Sequence, residues 1–138
     1  MSNSQNNKIY PKKWLGVFCG AYEGKDDTVH DLVRELGEAL ARNQIGLVYG
    51  GGGIGVMGLI ADAVLENNGW VMGVVPENLL ETEMAHTSLD ELVIVETMHE
   101  RKRTMYERAD IFCALPGGLG TLEEILENSF YLKCCKNL

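Results

Sequence analysis

The stretch Ile45-Gly46-Leu47-Val48-Tyr49-Gly50-Gly51-Gly52-Gly53-Ile54-Gly55-Val56-Met57-Gly58 decides the fold. The short apolar run at residues 45–49 predicts a buried strand, and the glycines after it predict a tight turn. A helix is predicted to follow over residues 59–66. A strand that passes through a glycine-rich turn into a helix is the repeating unit of a parallel sheet covered by helices.

The same alternation extends in both directions from this stretch. Further strands are predicted at residues 14–19, 70–75, 92–96 and 111–115. Further helices are predicted at about residues 29–41, 98–109 and 121–133. The sequence therefore predicts an α/β fold with a doubly wound, Rossmann-like parallel sheet and helices on both faces. We expect one domain over residues 14–138, preceded by a polar segment at residues 1–13. With strand order 3-2-1-4-5, the ligand crevice would lie between strands 1 and 4.

Composition excludes several function classes. The chain has 138 residues and a formal net charge of -8 at pH 7, so it lacks the basic surface that binds a nucleic-acid backbone. No run approaches the roughly 20 apolar residues that cross a bilayer, and residues 1–13 lack a secretion signal. The cysteines have neither metal-ligand nor redox spacing. We therefore expect a soluble, cytoplasmic protein without a metal site, a nucleic-acid partner or a membrane attachment.

Two glycine-rich loops are candidate anion sites. The first contains Gly51, Gly52, Gly53 and Gly55, and the second contains Gly117, Gly118 and Gly120, followed by Thr121. Backbone N–H groups at a strand-to-helix turn, together with the helix dipole, attract a phosphate that side chains would obstruct. One such cluster is explained equally well by a tight turn, but two in a small domain favour a phosphate. Neither loop has the Lys-Ser/Thr of a P-loop, which disfavours triphosphate hydrolysis.

Two charged residues beside these loops have a structural and a functional interpretation. Arg101, in Met98-His99-Glu100-Arg101-Lys102, could hold a phosphate or a developing charge by paired hydrogen bonds. The charge pattern alone favours a solvated basic helix face. Glu124 could complete a capping box with Thr121, or it could point into the crevice as a general base or as a stabiliser of a sugar cation. Propensity alone favours the cap, and the residues by themselves leave both alternatives open.

Three motifs together resemble one family. Tyr49-Gly50-Gly51-Gly52 continuing to Gly55-Val56-Met57-Gly58, the segment 98–102, and Pro116-Gly117-Gly118-Leu119-Gly120-Thr121-Leu122-Glu123-Glu124 look like the Lonely Guy (LOG) family of cytokinin-activating phosphoribohydrolases. The resemblance spans about residues 15–127. It implies hydrolysis of the N-glycosidic bond of an N6-substituted adenosine 5′-monophosphate to the free base and ribose 5-phosphate, without a cofactor. Many relatives are labelled lysine decarboxylases, but no segment argues for the Schiff-base lysine that a pyridoxal enzyme needs.

The resemblance also implies site residues. It places Arg101 and Glu124 at the catalytic positions and Glu83 near the base. It matches Gly117, Gly118, Gly120 and Thr121 to the phosphate-binding turn. The further candidate substrate- or phosphate-binding residues are Gly51, Gly52, Gly53, Gly55, Met98 and Lys102. Cleavage of the bond from C1′ to a purine builds positive charge on the sugar and negative charge on the base, so a carboxylate and a guanidinium would both assist it.

The chain departs from the family pattern in two places. Ala21 stands where the family usually has serine, and family members continue beyond residue 138 with another strand and helix. We therefore expect a sheet shortened at the C-terminus, whose exposed edge would favour a homodimer or a higher homo-oligomer. The alternative functions are a non-catalytic nucleotide- or phosphate-cofactor carrier and an inactive truncated relative.

Overall fold

The structure is a computed structural model that describes residues 8–19 and 27–115. Strands and helices alternate along these residues except between the third and fourth strands, which are joined by a loop that carries one short 3-10 turn at Glu77–Leu79. The elements in chain order are β1 (Lys13–Phe18), α1 (Asp27–Arg42), β2 (Ile45–Tyr49), α2 (Gly55–Glu66), β3 (Val71–Pro76), β4 (Glu91–Val95), α3 (Met98–Arg108) and β5 (Ile111–Ala114). The predicted helix at residues 121–133 lies outside the described residues.

The sheet is parallel throughout, and its strand order is β4-β3-β2-β1-β5. The prediction of a doubly wound α/β fold is confirmed. The predicted order 3-2-1-4-5 is wrong, because β4 pairs with β3 at the sheet edge and β5 pairs with β1. The 14 residues that join β3 to β4 carry only the short 3-10 turn, whereas α3 crosses the sheet before β5. The reversal of strand order therefore falls between β1 and β5, so the crevice expected between strands 1 and 4 is also misplaced. In an open parallel sheet, a ligand crevice is expected at the point of reversal.

Each face of the sheet has its own apolar core. Val33 of α1 and Ile60 of α2 pack with Val17 and Leu47 on one face. The other face is covered by α3, and the apolar residues buried there are Trp14, Phe18, Val48, Met72, Val74, Met105, Ala109 and Phe112. Strands buried on both faces read as continuous apolar runs rather than alternating ones, and this is the pattern that the sequence shows.

The helix α2 begins four residues before the predicted start, inside the glycine-rich stretch. Its first turn contains Gly58, whose N–H donates to the carbonyl oxygen of Ile54 at 3.0 Å. A Cβ atom at position 58 would lie 2.4 Å from the carbonyl oxygen of Gly53. Gly58 is therefore needed for close packing of the helix on the preceding loop, and this role is indistinguishable from a turn signal in the sequence.

The polar segment that precedes β1 is anchored in its described part. The Lys8 ammonium forms an ion pair with Asp90 at 2.9 Å and also donates to the carbonyl oxygen of Gly69. The second carboxylate oxygen of Asp90 accepts a hydrogen bond from the N–H of Val71. This contact fixes the start of β3 and the start of β4 at the end of the sheet opposite the glycine loop. Within residues 8–19 and 27–115, no helix has the length and apolar character needed to span a membrane.

Candidate functional site

Arg101 is the centre of the candidate site at the carboxyl ends of β2 and β3. It is only 5% exposed and is the one charged or polar residue among the buried residues of the described chain. Arg101 and Met105 lie one helical turn apart and are the buried residues of α3. The alternative of a solvated basic helix face is therefore wrong for Arg101, although it describes the exposed Arg103.

The guanidinium of Arg101 donates to groups from three different parts of the chain. Its Nε donates to the carbonyl oxygen of Val74 at 2.9 Å, and its Nη2 donates to the carbonyl oxygen of Gly50 at 2.5 Å. The Glu83 carboxylate accepts from Nη1 at 3.1 Å and from Nη2 at 2.8 Å. This bidentate geometry is the strongest form of an arginine–carboxylate contact. Arg101 thus connects α3 with the ends of β2 and β3 and with the loop after β3.

Gly50 is a site residue that the sequence analysis missed. A Cβ atom at this position would lie 2.2 Å from Nη2 of Arg101. A side chain at position 50 would therefore displace the guanidinium from the end of β2. The available signal was the position of Gly50 as the first glycine after the strand, but the partner that requires it lies 51 residues away.

The first glycine loop packs tightly against the segment that carries Glu83. The Gly53 N–H donates to the carbonyl oxygen of Met84 at 2.8 Å, and the carbonyl oxygen of Gly51 accepts from the N–H of His86 at 2.9 Å. Gly51 has a φ of 80°, and a Cβ atom there would lie 2.2 Å from Cγ2 of Val75. These glycines therefore have a packing role, and their contact with a phosphate stays a prediction.

Tyr49 fixes the same loop from inside the core. Its side chain is fully buried, and its hydroxyl donates to the carbonyl oxygen of Gly52 at 2.8 Å. Burial raises the pKa of Tyr49 far above its ordinary value, and the nearby Cys19 and Asp62 raise it further. The phenol therefore remains protonated and serves as a hydrogen-bond donor to the loop.

His86 ties the Glu83 segment to α2. Its Nδ1 accepts from the N–H of Ser88 at 3.0 Å, so its Nε2 carries the proton and donates to Asp62 at 2.7 Å. An open cleft of about 230 Å³ lies between this segment and the start of α2. Gly55, which has a φ of 60°, opens the first turn of α2 beside this cleft. The first N–H groups of a helix have no partner within the helix, so this turn is a suitable place for an anion.

The start of α3 presents Met98 and Lys102 beside Arg101. Met98 is 37% exposed, and its Sδ lies 3.7 Å from Nη1 of Arg101. Lys102 is half-buried at the next position of the helix. Thr97 caps the helix, since its hydroxyl accepts from the N–H of Glu100 at 3.1 Å, and the Glu100 carboxylate accepts from the N–H of Glu96. This Thr-x-x-Glu pattern is readable in the sequence as a helix start, and the sequence analysis overlooked it.

The second glycine loop and the catalytic carboxylate predicted beside it lie outside the described residues. These residues are Gly117, Gly118, Gly120, Thr121 and Glu124, and Ala21 is also among those not described. The described chain reaches Leu115, whose N–H donates to the carbonyl oxygen of Phe18 at 2.9 Å. Because all strands are parallel, Leu115 lies at the same end of the sheet as Gly50. Only β1 separates β5 from β2, so the two strand ends are about 10 Å apart.

No group of three His, Cys, Asp or Glu side chains within the described ranges is arranged to hold a metal ion. Cys19 is buried in the core, and Cys113 packs against the same core. Burial raises the pKa of the Cys113 thiol. The described cysteines therefore behave as small apolar core residues.

The chain is similar to a family of curated enzymes. The family model described as "Possible lysine decarboxylase" matches residues 57–133. A cytokinin riboside 5′-monophosphate phosphoribohydrolase of Arabidopsis thaliana is 47% identical over 111 residues, which cover 80% of this chain and 52% of that protein. The enzyme of the same name from Rhodococcoides fascians is 47% identical over 116 residues, which cover 83% of this chain and 59% of that protein. This chain thus spans about half the length of the curated relatives that it matches.

Solved structures share the fold. The structural genomics target TM1055 is 28% identical, with a TM-score of 0.70 over 84% of this chain and 68% of that one. A molybdenum cofactor binding protein from Rippkaea orientalis is 23% identical, with a TM-score of 0.74 over 91% of this chain and 75% of that one. The second similarity concerns the fold alone.

Proposed function

We propose that this chain, which belongs to the LOG family of cytokinin riboside 5′-monophosphate phosphoribohydrolases, hydrolyses the N-glycosidic bond of adenosine 5′-monophosphates. The products are a free base, a cytokinin where N6 is substituted, and ribose 5-phosphate. The observation that carries the proposal is the buried, bidentate Arg101 at the carboxyl ends of β2 and β3. A buried arginine is costly unless it is paired, and Arg101 is paired while one Nη1–H has only the Met98 thioether as its partner, which supports a role in binding the substrate.

The chemistry requires charge stabilisation at two points of the substrate. As the bond from C1′ to the base nitrogen breaks, its electron pair leaves with the base while the sugar becomes cationic. Water adds its hydroxyl to C1′, and a proton passes to the base nitrogen. In the proposed mechanism Glu124 stabilises the sugar cation or activates this water. Arg101 donates a hydrogen bond to the departing base.

The phosphate is proposed to bind to backbone groups rather than to a basic cluster. The net charge of -8 disfavours attraction by the overall field of the protein. The proposed phosphate ligands are Gly117, Gly118, Gly120 and Thr121, with Gly51, Gly52, Gly53, Gly55 and Lys102 completing the nucleotide site. The separation of about 10 Å between the ends of β2 and β5 is compatible with a nucleotide that contacts both loops.

Glu124→Gln is the variant that tests the proposal. The chain is incubated with AMP and with isopentenyl-AMP, and free base is measured by chromatography. We expect release by the wild type and a loss of at least about 100-fold in Glu124→Gln, because an amide neither stabilises a cation nor activates water. Nucleotide affinity, measured by calorimetry, should be retained. Glu123→Gln is the matched control, since it changes the neighbouring acid.

Two results would contradict the proposal in different ways. Absence of free base from both nucleotides with wild-type chain would exclude the hydrolase. Nucleotide binding without turnover, unaffected by Glu124→Gln, would indicate a carrier protein instead. We further propose that the chain is cytoplasmic and forms a homodimer or a higher homo-oligomer. Light scattering after size exclusion tests the oligomeric state.

A further inference from the structure

We propose that Glu83 is a positioning residue that acts through Arg101 and does not itself bind the base. This inference rests on the proposed function, and it reassigns the role that family resemblance gives to Glu83. Its basis is the number of hydrogen bonds that the two side chains already make.

Each N–H of the Arg101 guanidinium has an acceptor within the described part of the chain. The Nε and Nη2 groups donate to the carbonyl oxygens of Val74 and Gly50, and both carboxylate oxygens of Glu83 accept from Nη1 and Nη2. The remaining Nη1–H faces the Met98 thioether, which is a weak acceptor at 3.7 Å. This N–H is the donor that a ligand can recruit most easily, and Glu83 fixes its direction.

The pair is electrically neutral and largely removed from water. The exposed side-chain fractions are 6% for Arg101 and 14% for Glu83. A neutral pair exerts little net attraction on an anionic phosphate, so Arg101 is suited to a directed hydrogen bond rather than to long-range attraction. Glu83 supplies the charge that keeps the guanidinium in place.

The backbone around Glu83 is fixed independently of Arg101. Its neighbour Met84 accepts from the Gly53 N–H, and His86, three residues on, binds both the Gly51 carbonyl oxygen and Asp62. Glu83 is therefore presented to Arg101 by a segment that is itself anchored to the glycine loop and to α2. A side chain held in this way aligns its partner, and misalignment by about 1 Å can lower a rate by about 100-fold.

A direct test observes the Arg101 Nε–H by NMR of the full chain, without any substrate. In the wild type this proton should exchange slowly with solvent, because it is buried and bound to Val74. Glu83→Gln should accelerate its exchange at least about 10-fold, whereas Glu81→Gln, which changes an exposed acid of the same segment, should leave it unchanged. Unaltered exchange in folded Glu83→Gln would overturn the inference, and this readout does not depend on turnover.

A double-mutant cycle then asks whether Glu83 acts only through Arg101. For isopentenyl-AMP, Glu83→Gln should lower kcat by about 10- to 100-fold with less than a 3-fold change in KM, and Glu83→Asp should restore part of the loss. In an Arg101→Ala background the same change should alter kcat less than 3-fold.

An equal effect in both backgrounds, or a loss concentrated in KM, would mean that Glu83 contacts the substrate and would refute the inference. A wild type that binds AMP without turning it over would refute the proposed function alone. The cycle would then be measured on the affinity for AMP, and the NMR result would decide where Glu83 acts.

Discussion

Gly50→Ala tests whether the guanidinium of Arg101 is what requires glycine at the end of β2. The new Cβ atom would lie 2.2 Å from Nη2, so the guanidinium would have to retreat by about 1 Å to reach ordinary contact. That movement disrupts the hydrogen bonds from Nη2 to the Gly50 carbonyl oxygen and to Glu83. Each hydrogen bond to a charged group is worth about 1.5–3 kcal/mol. We expect the free energy of unfolding to fall by about 3 kcal/mol.

The same substitution should be nearly neutral once Arg101 is removed. In Arg101→Ala the nearest remaining side-chain atom to the new Cβ is Sδ of Met57 at 3.2 Å, and this flexible side chain can move by a few tenths of an ångström. We expect Gly50→Ala to cost less than about 1 kcal/mol in that background. The coupling of about 2 kcal/mol lies in the range measured for residues in direct contact.

Urea unfolding, followed by the fluorescence of Trp14 and Trp70, gives the four free energies of this cycle. Gly51→Ala is the matched control, because its φ of 80° and its clash with Val75 do not involve Arg101. It should therefore destabilise both backgrounds equally. If Gly50→Ala lowered the free energy of unfolding equally with and without Arg101, the guanidinium would not be the group that requires glycine at position 50.

Two further predictions concern the loop and the helix that hold this site. Burial raises the pKa of Tyr49 above its unfolded value near 10. The protonated phenol therefore contributes its full stabilisation below pH 10. Above pH 10 the free energy of unfolding falls by about 1.4 kcal/mol per pH unit. Unfolding measured at pH 9 and pH 11 should show a shallower loss in Tyr49→Phe, and an unchanged slope would contradict the pKa shift. Thr97→Ala removes the cap of α3 and should cost about 1 kcal/mol, whereas Thr104→Ala, inside the same helix, should cost little or nothing. If Thr97→Ala and Thr104→Ala lowered the free energy of unfolding equally, in thermal or urea unfolding, the cap would not stabilise α3.

Local patterns determined the elements of the fold. The apolar run at residues 45–49 coincides with β2, because an apolar strand bounded by glycine has few alternatives. The start of α2 was placed four residues late, since Gly55 and Gly58 were interpreted as a turn although they belong to the helix. The strand order was also wrong, because the hydrophobic pattern of β4 does not specify which strand it pairs with.

The sequence alone therefore determined the α/β class, the glycine-rich loop after β2 and the motif that contains Arg101. Tertiary structure decided what Arg101 contacts: its partners lie 18, 27 and 51 residues away along the chain. It also decided that Gly50 lies against the guanidinium and that both oxygens of Glu83 are engaged. The physical reason is that periodicity and capping are local, whereas the pairing of a buried charge depends on which distant groups the packed sheet brings within hydrogen-bond distance.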